Sequence, residues 1–325
     1  MSRGTVVLLA CIALLVIWPL AMGDYAVVQA NRAMIYSLLA LSFSVLAGRL
    51  GWFSLCQTAF AGISGYTVAI LSVRYGVPFP LVVLTALLVS VLFAVVFGLL
   101  TLRAREVSFL MLTLALGQMV WALSMQWVDV TGGYNGISGV DLPSYEVLNL
   151  NDHRVFYALL AAVTLLIFLG MRRLYRSPFG LLLLGIQENE QRMRALGHPI
   201  YLARFVAFVL AGTIAGVAGI FLVYDIGIMT PSSLGLGHSV WVLAAAVLGG
   251  YRTLWGPVLG VIILIALEVL VSQYTDRYMM VTGLVLLFSI LLMPRGLAEF
   301  LERRLGKTKP SASINRESSS EEKSL

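Results

Sequence analysis

A chain of 325 residues of which 59% are hydrophobic and only 12% charged stands far from soluble domains, where about 25% of residues carry charge. Such a composition excludes a water-soluble globular fold and calls for lipid as the solvent of most of the surface. The net charge of +6 does not point to nucleic acid, because the basic residues sit in short breaks between apolar runs rather than along one surface.

Ten apolar stretches follow one another, at 5–22, 33–48, 53–73, 79–102, 107–127, 155–171, 203–224, 239–250, 257–273 and 279–293. The first has one Arg before it and small residues near Ala21 and Gly23, so a secretory signal and an uncleaved first helix both fit; its length suffices to span. The third contains Gln57, Thr58, Ser64 and several glycines and is not expected to face lipid all round. The eighth is short enough to be a half-span or re-entrant piece rather than a full crossing. Cys11 and Cys56 both fall in apolar stretches and read as small apolar residues, with no disulfide framework around them.

Charge tests the count. With ten crossings and a cytoplasmic N-terminus, 18 of the 22 basic residues lie inside, leaving only Arg32, Arg74, Arg154 and Arg277 outside. This is the asymmetry that the positive-inside rule requires. All six aspartates (Asp24, Asp129, Asp141, Asp152, Asp225, Asp276) fall outside in the same arrangement. Dropping one helix inverts everything downstream, which favours an uncleaved first helix and places both termini in the cytoplasm. The expected organisation is a membrane domain over 1–305, with a long outer loop at 128–154 and a long inner loop at 172–202. The Ser-rich, charged tail 306–325 is expected to be disordered.

The inner loop carries the densest set of signals. Ser177 before Pro178 reads as an N-cap followed by proline at the first helical position. Gly197 suits a helix end, and Pro199 prevents continuation. Between them Ile186, Met193 and Leu196 can share one face while Glu188, Glu190, Arg192 and Arg194 decorate others. The spacing predicts a short capped helix on the cytoplasmic surface, either seated in a groove of a partner protein or resting on lipid headgroups.

Several motifs resemble LivM-type permeases, one of the two permease subunits of branched-chain amino acid ABC importers. Ser177-Pro178-Phe179-Gly180 followed by Glu188-Asn189-Glu190 and Ala195-Leu196-Gly197 is similar to that family's cytoplasmic loop. Leu102-Arg103 with Thr113-Leu114-Ala115, Thr131-Gly132-Gly133-Tyr134-Asn135-Gly136-Ile137, and Leu248-Gly249-Gly250 with Gly256-Pro257-Val258-Leu259-Gly260 resemble further family segments in the expected order. Two departures stand out: Cys56-Gln57 replaces a Gly-His pair, and Tyr251-Arg252 follows Leu248-Gly249-Gly250. The resemblance implies an all-α integral membrane protein of about ten helices, similar to the type II ABC importer fold. It also implies a bacterial inner-membrane location, a second homologous permease, two ATPase subunits and an external solute-binding protein. The loop residues Glu188, Asn189, Glu190, Arg192, Arg194, Ala195, Leu196 and Gly197 would then contact the ATPase. The substrate is left open between branched-chain or related small amino acids and urea or short amides.

Gln57, Thr58, Phe60, Gln118, Asn135 and Glu268 are the candidates for the translocation pathway. For Gln57, Gln118 and Asn135 a structural interhelical hydrogen bond is an equal reading. Glu268 is a functional candidate because an unpaired carboxylate in a membrane costs several kcal/mol; pairing within the bundle is the alternative. Gly212, Gly216 and Gly219 follow the small-xxx-small pattern of close helix packing. Gly306-Lys307-Thr308 mimics the end of a phosphate loop, but Leu301 occupies the position where the motif needs glycine. The expectation is therefore a chain without cofactor or ATP site of its own, with ATP and Mg on a partner. His153, His198 and His238 are scattered over different breaks and suggest no metal site, and no catalytic grouping is expected. An ion-coupled secondary transporter remains a different-class alternative, with Glu268 as its one clear ionisable candidate.

Overall fold

The computed structural model describes residues 23–101, 104, 106–142 and 152–274 and a few positions beyond. The first expected stretch, all but three positions of the tenth, and the tail 306–325 lie outside the described residues. The other eight stretches each correspond to a helix. In chain order the helices are α1 (Asp24–Arg49), α2 (Gln57–Ala69, continued by a π-helical turn at Ile70–Arg74), α3 (Phe79–Thr101), α4 (Glu106–Gln126), α5 (Val128–Thr131), α6 (His153–Arg176), α7 (Pro178–Glu188), α8 (Glu190–Ala195), α9 (Ile200–Ile226), α10 (Leu236–Gly249) and α11 (Gly256–Ser272). A two-residue antiparallel ladder joins β1 (Ile137–Ser138) to β2 (Ile228–Met229), with Ile137 opposite Met229. Among the described residues, five helices, α1, α3, α4, α6 and α9, are long and apolar enough to cross a membrane, and α10 and α11 are shorter apolar helices.

Burial separates the centre of the bundle from its rim. Of the apolar windows, 83% of the one in α1 and 67% of the one in α9 are buried, against 33% in α3 and 28% in α6; α1 and α9 therefore form the interior. On α3, Leu81, Leu84, Leu88, Leu92, Val96 and Leu99 are exposed. Their three- and four-residue spacing forms one stripe along the helix. Val82, Ala86, Ser90, Ala94 and Phe97 on the opposite face are buried. An exposed stripe of leucines is what lipid solvates.

Close approach of backbones holds the centre together. Along α9, Gly212 faces Ala94 of α3 and Phe60 of α2, Gly216 faces Ser90, and Gly219 faces Ala61 and Ser64. The Ser64 hydroxyl donates to the Gly216 carbonyl at 2.8 Å. Such a bond contributes only about 0.6 kcal/mol inside a membrane bundle, so the packing that the missing side chains permit is the larger effect. The small-residue pattern thus acts structurally.

Two helices stop short within this bundle. The chain leaves α1 at Arg49 and forms an irregular connector before α2 begins at Gln57, whose side chain accepts from the Ser42 hydroxyl of α1 at 3.3 Å. Ser42 lies two turns before the end of α1, so α2 starts well inside the bundle. Similarly, after α9 the chain turns back along α2: Met229 lies against Gly65, Leu234 against Gly62, and the Ser239 hydroxyl bonds that of Thr58. Residues 228–235 are strand, 3₁₀ turn and coil, and only at Leu236 does α10 start. The eighth stretch is thus a 14-residue helix preceded by irregular chain. Gly249, Gly256 and Gly260 then let the backbones of α10 and α11 touch in a tight hairpin.

A side chain on the α9 stripe should break this packing. Gly219→Leu would force atoms into the Ala61 carbonyl and Ser64, and overpacking of this kind costs about 1–3 kcal/mol or more. The level of folded protein in membranes should fall sharply. Gly170→Ala, on α6 with open space around its Cα, should leave that level unchanged or slightly raised.

Candidate functional site

One end of the bundle carries Arg49, Arg172, Arg173, Arg176, Arg192, Arg194, Arg204 and Arg252; the other carries Asp129, Asp141, Asp152 and Asp225. At the basic end the 177–199 segment forms a compact outwork. The Ser177 hydroxyl accepts from the Gly180 amide at 3.2 Å with Pro178 in the first turn, as the sequence predicts. The expected single helix, however, is two. The backbone of Asn189 is extended, and its side chain accepts from the Arg192 amide at 2.8 Å, capping α8. Asparagine competes for backbone partners in this way better than it continues a helix. Gly197 closes the segment at φ +81°, the left-handed conformation suited to glycine.

The break also separates the predicted face. Ile186 is buried and Met193 packs over Gly185, but Leu196 is 67% exposed. Around Leu196 the side chains of Glu188, Asn189, Arg192, Arg194 and Ala195 and the glycine Gly197 are exposed as well. Glu190 alone of the charged residues on α8 turns inward. Its carboxylate pairs with Arg194 at 2.8 Å and with the buried Arg204 of α9 at 2.5 Å. Partial burial pushes this carboxyl up, but the hydrogen bonds and charges of Arg204 and then Arg194 outweigh it and hold it below the ordinary value. The Arg204 guanidinium in turn lies 4.1 Å above the centre of the Trp52 ring. Tyr175, at the end of α6, donates to the Ser44 carbonyl of α1 at 3.1 Å and carries the Arg49 guanidinium over its ring.

The candidate pathway residues are not gathered into one place. Gln57 and Thr58 sit together at the start of α2, both buried. The Gln57 amide nitrogen has no hydrogen-bond partner, whereas Thr58 meets Ser239 at the start of α10. Two helix N-termini thus meet through a hydroxyl pair. Phe60, a turn further on, is fully buried between Phe97 and Phe208. Gln118 is half-buried on α4, and Asn135 is exposed on the glycine loop at the acidic end. In that loop Thr131 donates to the Ser124 carbonyl at 2.7 Å, and Gly132, Gly133 and Gly136 adopt positive φ. Glu268 is paired within the bundle: its carboxylate accepts from the Trp241 indole at 2.6 Å.

Sequence reasoning missed Arg204, Trp52, Ser42, Ser239 and Trp241. In the sequence Arg204 reads as one more inner charge, and its place near the start of a long apolar helix gives no sign of burial. Thr113, noted within Thr113-Leu114-Ala115, accepts from the Leu55 amide at 3.2 Å through its hydroxyl and so fixes the connector before α2.

The bundle, with its apolar exposed stripes and broken helices, is that of a multi-pass membrane protein. Residues 25–290 match the family model described as "Branched-chain amino acid transport system / permease component", and the chain belongs to that family. It is 28% identical over 313 residues to a high-affinity branched-chain amino acid transport system permease protein LivM of Salmonella typhimurium, covering 89% of this chain and 74% of the relative. A probable branched-chain amino acid transport permease protein LivM of Methanocaldococcus jannaschii is 26% identical over 50% of this chain and 47% of its own length. A shorter similarity, 34% identity over 88 residues, links the chain to the L-arabinose transport system permease protein AraH of Escherichia coli, over 27% of this chain and 26% of the relative. No solved structure matches the chain significantly.

The pairing of Glu190 sets a pH dependence. Because its carboxyl is lowered in the folded state from the ordinary 4.5, the contribution of the pair is fully present above that value. It is lost as the pH falls through the folded-state pKa. Amide exchange over α8, corrected for its intrinsic acid dependence, should rise as the pH drops below 4.5. Glu190→Gln should show the faster exchange already at neutral pH, with a flat acid profile.

Proposed function

We propose that this chain is the membrane-spanning permease subunit of an ATP-driven importer of branched-chain or related small amino acids. It would cross the bacterial inner membrane about ten times in a type II importer arrangement, with both termini in the cytoplasm. The partners in this reading are a second homologous permease, two ATPase subunits that hold ATP and Mg, and an external solute-binding protein. The basic end faces the cytoplasm, in keeping with the positive-inside rule, and the glycine loop at the acidic end faces the binding protein. The names of the relatives that span most of the chain support the substrate class. The departures at Cys56-Gln57 and at Tyr251-Arg252 keep urea and short amides as the competing cargo, because Gln57 stands beside the junction of the two short helices.

The observation that carries the coupling assignment is the outwork of α7 and α8. Leu196, with Arg192 and Glu188 around it, is presented outward at the basic end, while Glu190 is tied inward to Arg204. A surface that couples two proteins needs both features: an apolar knob for the partner's groove and a firm link to the helices that must move. ATP-driven closure of the ATPases can shift the permease only through contacts that differ between their two states. An ion-coupled transporter would require no such outwork.

Glu190→Ala and Gly197→Val should each abolish ATP-dependent leucine uptake in intact cells while membrane insertion stays at the parental level. Transport at the normal rate by either variant would sink the coupling assignment. Uptake that persists without ATP would favour an ion-coupled carrier. Competition of that uptake by valine but not by urea would support the amino acid reading.

A further inference from the structure

The outwork reaches the rest of the protein by two routes of different character. On the α6 side, Tyr175 is fastened to the Ser44 carbonyl and to Arg49, both on the long central helix α1. This route ends on a continuous helix. On the α7–α8 side the outwork packs on α1 and α9 as well, and in addition it reaches the irregular connector 50–56. The Gln187 side chain lies over Gly51, close enough that a Cβ there would stand 3.2 Å from it, and Gly51 has φ +73°. Glu190 holds Arg204, and Arg204 covers the buried Trp52 ring.

The connector is short and leads straight into the junction of the broken helices. Its Leu55 amide is fixed by Thr113. The Cys56 carbonyl accepts from the Ala59 amide at 3.1 Å and begins α2. The next two residues are Gln57, bonded to Ser42, and Thr58, bonded to Ser239 of α10. The Arg204 Nε is buried without a partner. Its guanidinium is thus placed by the Glu190 carboxylate and the Trp52 ring together, so a displacement of one is felt by the other.

We propose that residues 51–56 are the transmission element of this protein. Movement of α8 passes through Glu190, Arg204 and Trp52 to the start of α2, where it opens or closes the Thr58–Ser239 contact. Arg204 and Trp52 are positioning residues in this scheme and touch neither ATP nor cargo. The proposal rests on the reading of the chain as an ATP-driven permease. A planar cation is required at position 204, because lysine keeps the charge and an ion pair but presents no flat face to the indole.

The test uses the full complex of this chain with its partner permease and ATPases in lipid vesicles. Thr58→Cys, in a background of Cys11→Ser and Cys56→Ser, is labelled with a maleimide with and without ATP plus vanadate. In the parent the labelling rate should change with nucleotide. In Trp52→Leu, and separately in the milder Arg204→Lys, ATP hydrolysis should persist, the change in labelling should vanish, and leucine taken up per ATP should fall roughly tenfold, the size of a typical coupling between sites. Both variants keeping the parental nucleotide response would overturn the relay while leaving the permease reading intact. A parent that assembles with ATPases yet shows no response at Thr58→Cys would overturn the relay at its far end. A parent that binds no ATPase at all would overturn the permease reading and the relay with it.

Discussion

In a hydrocarbon environment every backbone amide and carbonyl must find its partner within the protein, and irregular chain survives only where protein covers it. The arrangement of this molecule follows from that constraint. Residues 50–56 and 228–235 hold no α-helix, yet both run inside the bundle. Helix α4 packs on both, with Gly117 against Leu55 and Cys56, and α2 lies along Pro231–Leu234 as well. Local devices satisfy the remaining groups: the Thr113 hydroxyl takes the Leu55 amide, and the β1–β2 ladder pairs the start of the second irregular stretch.

Irregular chain is also where such a bundle can change shape at low cost. A continuous helix with a buried face has one well-packed position, since interiors are close-packed. The ends of α2 and α10 meet instead through a pair of hydroxyls, Thr58 and Ser239, and beside them stands a Gln57 amide nitrogen without a partner. A contact of this kind can be made and broken without repacking the leucines that face lipid. On the proposed reading function and fold draw on the same feature: the helices that stop short would give the molecule a movable centre inside a fixed rim.

Much of the rim was legible in the sequence, and less of the centre. Apolar runs separated by basic breaks locate the helices because hydropathy and length are local properties. The glycine stripe of α9 and the Ser177-Pro178 cap are local too, and both take the predicted form. The break at Asn189 is hidden because Glu188 and Glu190 on either side are good helix formers; only the capping tendency of asparagine hints at it. The Thr58–Ser239 contact joins residues 181 positions apart, and no periodicity can disclose it. Arg204 looks like an interfacial charge until the fold sets Trp52 beneath it and Glu190 beside it. Glu268, the most conspicuous ionisable residue in the apolar sequence, bonds Trp241 within the bundle.

If the chain transports nothing by itself and is driven by a separate ATPase seated against α8, that ATPase should travel with it. The decisive experiment is affinity isolation of the chain from detergent-solubilised native membranes, with the partners identified by mass. A phosphate-loop ATPase should be recovered together with a second permease. Leu196→Glu, at the exposed tip of the outwork, should release the ATPase while the second permease is retained. A chain recovered alone under mild detergent, with uptake in vesicles that proceeds without ATP, would show that no separate ATPase drives it.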